Sequence, residues 1–380
     1  MAVLPMGVIV MSCAPDNLGR MIDEILSRAA DGGRISPEEA VALYRDAPLS
    51  DLGAAADTVV RRASGDVVTY NVNAHLNPTN ICVVGCGFCA FAVWTEKDPD
   101  AYAYSVDQLV DRAKQLAELG ITELHIVGGM TKEYGLEYYE ELFSELKAEL
   151  PHVSLTALTA VEIDFVARVS KVSHAEALRR LRAAGHDTMP GGGAEVFSPR
   201  VRKIIADRKV PADVWLDVHR EAHGQGMRTN ATLLFGHFET PEEQVDHMRH
   251  LRELQDDTGG FQAFIPLPFL PGNTEFAYLP GPSREEKLRT IAVARLFLDN
   301  FAHIKGHWVM LGEEITSEAL GFGLDDLSGT LTEERIAHAT TVQTPLGLSR
   351  ERMESLIHAG GKVPAERNTL YGSVDRGVAA

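Results

Sequence analysis

Cys82, Cys86 and Cys89 stand in the stretch His75-Leu-Asn-Pro-Thr-Asn-Ile-Cys-Val-Val-Gly-Cys-Gly-Phe-Cys-Ala-Phe91, while the fourth cysteine of the chain, Cys13, is far away in the N-terminal stretch. Thiolates are soft ligands that select iron–sulfur clusters, zinc or copper. Structural zinc sites and most iron–sulfur clusters take four protein ligands. No fourth cysteine lies near these three. A cubane held by three cysteines would leave one iron open to a substrate or cofactor. Two other readings stay open on spacing alone: a zinc site completed by His75 or another histidine, and a redox-sensitive thiol cluster.

Further residues able to do chemistry recur wherever an apolar run ends. His75 and Asn77 precede the cysteines and share one face of an extended strand. A histidine there could bond a substrate or act as acid or base, or be a satisfied core residue. Gly128-Gly129-Met130 permits close main-chain approach. Thr159-Ala-Val-Glu162 offers a hydroxyl and a carboxylate suited to ribose hydroxyls, and is equally a helix start with an acid in its first turn. Pro190-Gly191-Gly192-Gly193-Ala194-Glu195 could form a nest of N–H groups for an anion, with Glu195 orienting a ligand. His237 follows another apolar run and is expected to face the pocket. His219 and His223, four residues apart, share a helix face and read as helix surface rather than a metal site. Ile265-Pro266-Leu-Pro268 stiffens the chain and removes donors.

The elements that must position these residues follow from periodicity. Apolar runs near 67–74, 123–127, 153–158, 186–189, 228–235, 260–265 and 304–310 alternate with amphipathic helices near 105–119, 136–150, 162–184, 212–225, 242–255 and 284–300. Such alternation implies parallel strands joined by right-handed crossovers. The expected fold is α/β, a (β/α) barrel of TIM type, complete or slightly open. An open doubly wound sheet is the alternative, against which stands the absence of a Gly-x-Gly-x-x-Gly turn after the first strand. Four regions are expected: a disordered extension over 1–15, a helical region over 16–66, the barrel over 67–311, and a C-terminal extension over 312–380 that closes it and ends in a mobile tail. Helices are expected near 333–339 and 349–358. In a barrel the site lies at the C-terminal ends of the strands, where the motifs above fall.

The 380 residues carry a formal charge of −18, which argues against a nucleic-acid or anionic-membrane surface. No apolar run reaches bilayer-spanning length. Three clustered cysteines do not make a disulfide framework, and the expected setting is reducing and cytoplasmic.

The Cys-x3-Cys-x2-Cys spacing with Phe88 before the last cysteine resembles the radical S-adenosylmethionine (SAM) enzymes. Together with His75-Leu-Asn-Pro-Thr-Asn80, Pro190-Gly-Gly-Gly-Ala-Glu195 and Arg228-Thr-Asn-Ala-Thr-Leu-Leu-Phe-Gly-His-Phe-Glu-Thr240, it is similar to the aminofutalosine synthase family of the futalosine route to menaquinone. A related family, the cyclic dehypoxanthine futalosine synthases, has Asn-Tyr-Thr-Asn where this chain has Asn77-Pro-Thr-Asn80. The resemblance implies a [4Fe-4S] cluster on the three cysteines and SAM as consumed co-substrate. It implies that Gly128 and Gly129 hold the methionyl amino group and that Pro268 belongs to a wall against adenine. Thr159, Glu162, Gly192 and Glu195 complete the expected SAM site. Asn77, Gly191 and Arg228 are the expected substrate contacts, with His75 and His237 as catalytic candidates. The implied reaction adds the 5′-deoxyadenosyl radical to the enol ether of 3-[(1-carboxyvinyl)oxy]benzoate, giving 6-amino-6-deoxyfutalosine, methionine and bicarbonate. A flavodoxin or ferredoxin is the implied reductant. A hydrogen-abstracting relative and a zinc-stabilised binding module are the rival functions.

Overall fold

Ten short strands, most buried over most of their length, form one all-parallel sheet in the computed structural model, which describes residues 15–376. They are β1 (Val67–Tyr70), β2 (Asn73–Leu76), β3 (Glu123–Ile126), β4 (Ser154–Ala157), β5 (Thr188–Met189), β6 (Arg228–Phe235), β7 (Phe261–Pro268), β8 (His303–Gly306), β9 (Asp326–Leu327) and β10 (Val363–Glu366). The order is β10-β1-β9-β8-β7-β6-β5-β4-β3-β2. Every pairing is parallel, as strand–helix alternation requires.

The sheet curls until β2, at one end of that order, meets the segment after β9. The His75 N–H donates to the Thr332 carbonyl (2.8 Å), and the Thr332 N–H to the Asn73 carbonyl (3.2 Å). Thr330 Oγ1 reinforces the seam by accepting from the Asn73 N–H at 2.9 Å. The expected first strand is therefore two: β1 pairs with β9 and β10, and β2 with β3 and the segment after β9. The sheet continues past residue 311, where the sequence reading ended the barrel. β9 is two residues long and flanked by Gly323 and Gly329, so periodicity could not reveal it.

Helix starts follow local chemistry. Ser36, Ser105, Thr159, Thr240 and Ser283 each form a capping box with the acid or glutamine three residues on. The expected helix near 333–339 is instead a run of turns. Leu331 and Glu333 have φ of 49° and 62°, and the Glu334 carboxylate accepts from the Ile336 and Ala337 N–H groups, both at 2.8 Å. The N-terminal helices Pro15–Ala30, Pro37–Asp46 and Leu49–Ser64 pack outside the barrel, mainly against helices Pro241–Thr258 and Arg284–Phe297. Residues 1–14 of the expected extension over 1–15, Cys13 among them, lie outside the described residues, as do the last four residues of the expected tail, and Pro15 begins the first helix. No helix of the described residues is long and apolar enough to cross a membrane.

Candidate active site

One cavity of about 350 Å³ descends from the cysteine loop into the barrel. Alternation along the strands decides what lines it. Asn71, Asn73 and His75 face inward from β1–β2, Glu123 and His125 from β3, Thr156 from β4, Asn230, Thr232 and Leu234 from β6, Ile265 and Leu267 from β7, Lys305 and His307 at β8. Because all strands run the same way, earlier positions lie deeper: Asn73 below His75, Lys305 below His307.

The loop at the mouth is stitched by main-chain and amide bonds. The Cys82 N–H donates to the Val93 carbonyl and the Val93 N–H to the Asn80 carbonyl, both at 2.9 Å. Asn80 spans the loop, its amide donating to the Asp100 carbonyl (2.9 Å) and accepting from the Tyr102 N–H (2.9 Å). Thr79 Oγ1 donates to the Tyr102 carbonyl at 2.6 Å. The Pro-Thr-Asn run thus folds the loop so that Cys82, Cys86 and Cys89 all line the cavity.

Three thiols on one loop, unpaired as disulfides, form the donor set of a three-cysteine cubane. Among the described residues no three of His, Cys, Asp and Glu are gathered so as to hold one metal ion. A cubane does not demand that convergence, since each thiolate takes a different iron, so the residues fit the cluster better than zinc. Burial pushes the Cys86 thiol up to about 11 and raises Cys89 as well. Metal binding deprotonates a coordinating thiol outright. A cation is already in place: half-buried Lys209 pairs with Glu195 and stands 5.0 Å over the Phe88 ring. Burial opposes the Lys209 charge, but Cys86 and Glu195 outweigh it and hold Lys209 above its ordinary range. Nothing in the sequence singled out Lys209. It follows a short helix, Pro199–Ile205, and belongs to no motif.

Below the mouth, Gly128 and Gly129 hug the loop. The Gly129 N–H donates to the Thr79 carbonyl at 2.7 Å. Glu162, 4% exposed, bridges two strand ends: it accepts from the Gly128 N–H (3.0 Å) and from the Thr159 N–H and Oγ1 (both 2.7 Å). Burial raises its pKa despite these bonds. Capping and lining are therefore one role, because helix Ala160–Ser170 starts at the cavity wall. Gly191, Gly192 and Glu195 also line the cavity. The Gly191 carbonyl accepts from Thr232 Oγ1 (2.7 Å) and the Gly192 carbonyl from Trp215 Nε1 (3.2 Å). A methyl group on Gly191 would stand 2.6 Å from the Ala231 carbonyl carbon, so strand packing alone requires that glycine.

His75 is 6% exposed, and neither ring nitrogen has a partner. Its ring stacks on His125 (centroids 4.6 Å apart, 14° between planes). Burial, then the neighbouring His125, hold His75 well below the usual histidine range, so it is a neutral imidazole with one donor and one acceptor to offer. Glu334 lies among His75, His307 and His338. Burial would raise it, but the His338 bond and nearby histidines hold it at about 2.

Four expected site residues are not brought to the cavity. Arg228 begins β6, at the end away from the cysteines, and donates to the Gly259 carbonyl at 2.8 Å. Asn77 spends its amide on the Val127 carbonyl (2.8 Å), tying the ends of β2 and β3 together. His237 lies behind the wall, its Nε2 on the Leu234 carbonyl (3.1 Å) and its Nδ1 2.7 Å from both the Phe238 nitrogen and the Glu239 carboxylate. Pro268 is the last residue of β7 and does not line the cavity. β8 pairs with β7 only at Ala263 and Phe264, so a residue without an N–H is tolerated in the far half. His219 and His223 are not helix surface: both bond Thr229 Oγ1, at 2.9 and 2.8 Å, and pack on Phe261.

Comparison with known proteins agrees with this geometry. The radical SAM superfamily model matches residues 76–251, and that of the CofH/MqnC C-terminal region matches 258–378. The chain is 42% identical to an aminodeoxyfutalosine synthase of Thermus thermophilus, over 92% of this chain and 95% of that protein. It is also 42% identical to a cyclic dehypoxanthine futalosine synthase of Streptomyces coelicolor, over 92% and 88%. A 5-amino-6-(D-ribitylamino)uracil–L-tyrosine 4-hydroxyphenyl transferase of Methanoculleus marisnigri is 38% identical over 95% and 99%. In fold, the chain is similar to the FeFe-hydrogenase maturase HydG of Carboxydothermus hydrogenoformans (TM-score 0.74, 19% identity, 94% and 82% covered) and to methylornithine synthase (0.70, 16%, 90% and 97%). With relatives at this identity over nearly its whole length and a three-cysteine loop at the mouth of a parallel barrel, the chain belongs to the radical SAM enzymes, which use a [4Fe-4S] cluster and SAM, in the group that includes the futalosine-pathway synthases.

Proposed function

We propose that the enzyme is an aminofutalosine synthase acting on 3-[(1-carboxyvinyl)oxy]benzoate. The observation that carries this reading is the unbroken cavity, with His75 facing it between the cysteine loop and a polar floor, both nitrogens unpartnered. The Asn77-Pro-Thr-Asn80 run supports it over the cyclic dehypoxanthine relative. When bound, the cluster and SAM supply a 5′-deoxyadenosyl radical. Cys82, Cys86 and Cys89 would hold the cluster. Gly128 and Gly129 offer main chain to the methionyl end of SAM, and Glu162 and Glu195 offer carboxylates to its polar groups. Neutral His75 bonds the substrate and keeps the alkene beside the 5′ carbon, and Leu234, Ile265 and Leu267 exclude water from the aryl ring. Positioning of this kind contributes several kcal/mol of a barrier. The chemistry so supplied would join the 5′ carbon to the enol-ether CH2, move the aryl group from oxygen to carbon, and release the carboxylate as CO2, which water hydrates to bicarbonate, with the odd electron returned to the cluster. A low-potential flavodoxin or ferredoxin is the proposed electron source.

The test is anaerobic incubation with reductant, SAM and the enol-ether benzoate, followed by mass spectrometry. An adduct that retains adenosine supports the reading. Free 5′-deoxyadenosine formed from dehypoxanthine futalosine, with no adduct from the enol ether, replaces it with the hydrogen-abstracting relative's reaction. His75→Ala is expected to keep the cluster spectrum and cut turnover by about 10²-fold, within the range for a positioned acid–base group. Wild-type turnover by the cluster-replete variant would remove His75 from the reaction.

A further inference from the structure

The floor of the cavity is built for a charged end group. Asp326 has its acceptor sites filled without Lys305. Arg367 donates to Oδ1 (2.8 Å) and Oδ2 (2.6 Å), Thr69 Oγ1 to Oδ1 (2.8 Å) and Tyr371 to Oδ2 (2.8 Å). A carboxylate offers about four lone-pair sites. Lys305 is left with a loose contact to Oδ2 at 3.4 Å and a place 5.7 Å over the Tyr371 ring. Its side chain is 11% exposed and lines the cavity, so its ammonium hydrogens are largely unspent in a buried place. In the same cavity, Ser328 Oγ, Thr156 Oγ1 and Asn230 Oδ1 are buried and have no partner. Buried polar groups left without partners cost free energy. Several in one cavity with an ammonium that is not fully bonded mark a place that a ligand completes.

We propose that Lys305, with Ser328 beside it, binds the arene carboxylate of the substrate, so that the aryl group stands upright in the barrel with its enol-ether end toward the cysteine loop. This rests on the function proposed above only for the identity of the ligand. The alternation of His75 over Asn73 and His307 over Lys305 gives the pocket an imidazole level above an ammonium level. A meta-substituted benzoate spans both. Burial, then the Arg367 charge, hold Lys305 below the usual lysine range, and an added carboxylate stabilises its charged form. Glu123 works the other way. It is 7% exposed, accepts from Asn73 Nδ2 at 3.4 Å and faces the same floor. It limits affinity for the anion, and the two residues therefore have opposite expected effects.

The test is direct binding of 3-methoxybenzoate and its neutral isostere 3-methoxybenzamide to the cluster-loaded, SAM-bound enzyme, read by calorimetry. Lys305→Met is expected to weaken the benzoate by at least about tenfold, as loss of a charged hydrogen bond requires. Glu123→Gln is expected to tighten the benzoate several-fold. The benzamide is expected to bind both variants as it binds wild type, and Lys305→Arg to recover part of the loss. Equal loss of both ligands in Lys305→Met, no loss of either, or no preference of the wild type for the carboxylate would each overturn the subsite. Charge discrimination without adduct formation from the enol ether would overturn the proposed reaction and leave the subsite standing. Adduct formation with unchanged benzoate affinity in Lys305→Met would do the reverse.

Discussion

Cys86→Ala is expected to give a folded, colourless protein with turnover at background. The loop does not need the thiol for its shape. Its turns are closed by main-chain bonds, among them the Cys89 N–H to the Cys86 carbonyl (3.0 Å) and the Gly87 N–H to the Ile205 carbonyl (3.0 Å). The side chain is only partly exposed, and a methyl group fits its place without strain, so the expected stability change is about 1 kcal/mol or less. The chemistry has no such reserve. Two thiolates would not hold a cubane whose proposed ligands are three, and no other cysteine of the described residues stands near. The checks are iron content, visible absorbance after anaerobic reconstitution, and a thermal melt. Iron content equal to wild type would remove Cys86 from the ligand set.

Gly129→Ala is expected to be as damaging by another route. An added methyl would stand 2.2 Å from the Ile81 carbonyl oxygen, 2.6 Å from its carbon and 2.9 Å from the Asn80 carbonyl carbon. All three atoms are main chain, so no rotamer relieves the contact. Either the loop after β3 or the cysteine loop must move, and two bonds join them: the Gly129 N–H to the Thr79 carbonyl (2.7 Å) and the Val83 N–H to the Met130 carbonyl (3.0 Å). Overpacking of this kind costs about 1–3 kcal/mol or more, and the displacement falls one residue from Cys82. The expected result is a lower melting temperature together with incomplete cluster loading. A variant with wild-type loading and stability would show that the two loops slide freely, contrary to the geometry.

How much of this could be read beforehand varied with the signal. The strand–helix alternation and the cysteine loop were legible because each is a local pattern with a local cause. Motifs at strand ends located the site to within one level of the barrel. What failed was side-chain direction. Asn77 and His237 are adjacent to the site in sequence, yet their polar atoms bond Val127, Leu234 and Phe238 and face away from the cavity. Arg228 opens a strand, and the chemistry sits where strands finish. Lys209 and Lys305 could not be found, since a single lysine in a two- or three-residue context has no period and no motif. What distinguishes them is their surroundings, which come from residues far away in the chain.

The seam between β2 and the segment after β9 has a kinetic meaning. The residues that close it are 257 positions apart, and no intermediate stretch can stand in for them. Contacts of such separation are slow to form because the connecting chain must be ordered first. During synthesis β2 and its cysteine loop emerge early, while Thr330 and Thr332 arrive late. Until then one edge of the nascent sheet has open N–H and C=O groups, and His75 has no Thr332 carbonyl to receive its amide hydrogen. The pocket wall beside the cysteines is thus among the last parts to be completed. Iron loaded before that point would meet a loop whose supporting strand has only one neighbour. Maturation of this protein is best pictured as closure first and metallation second.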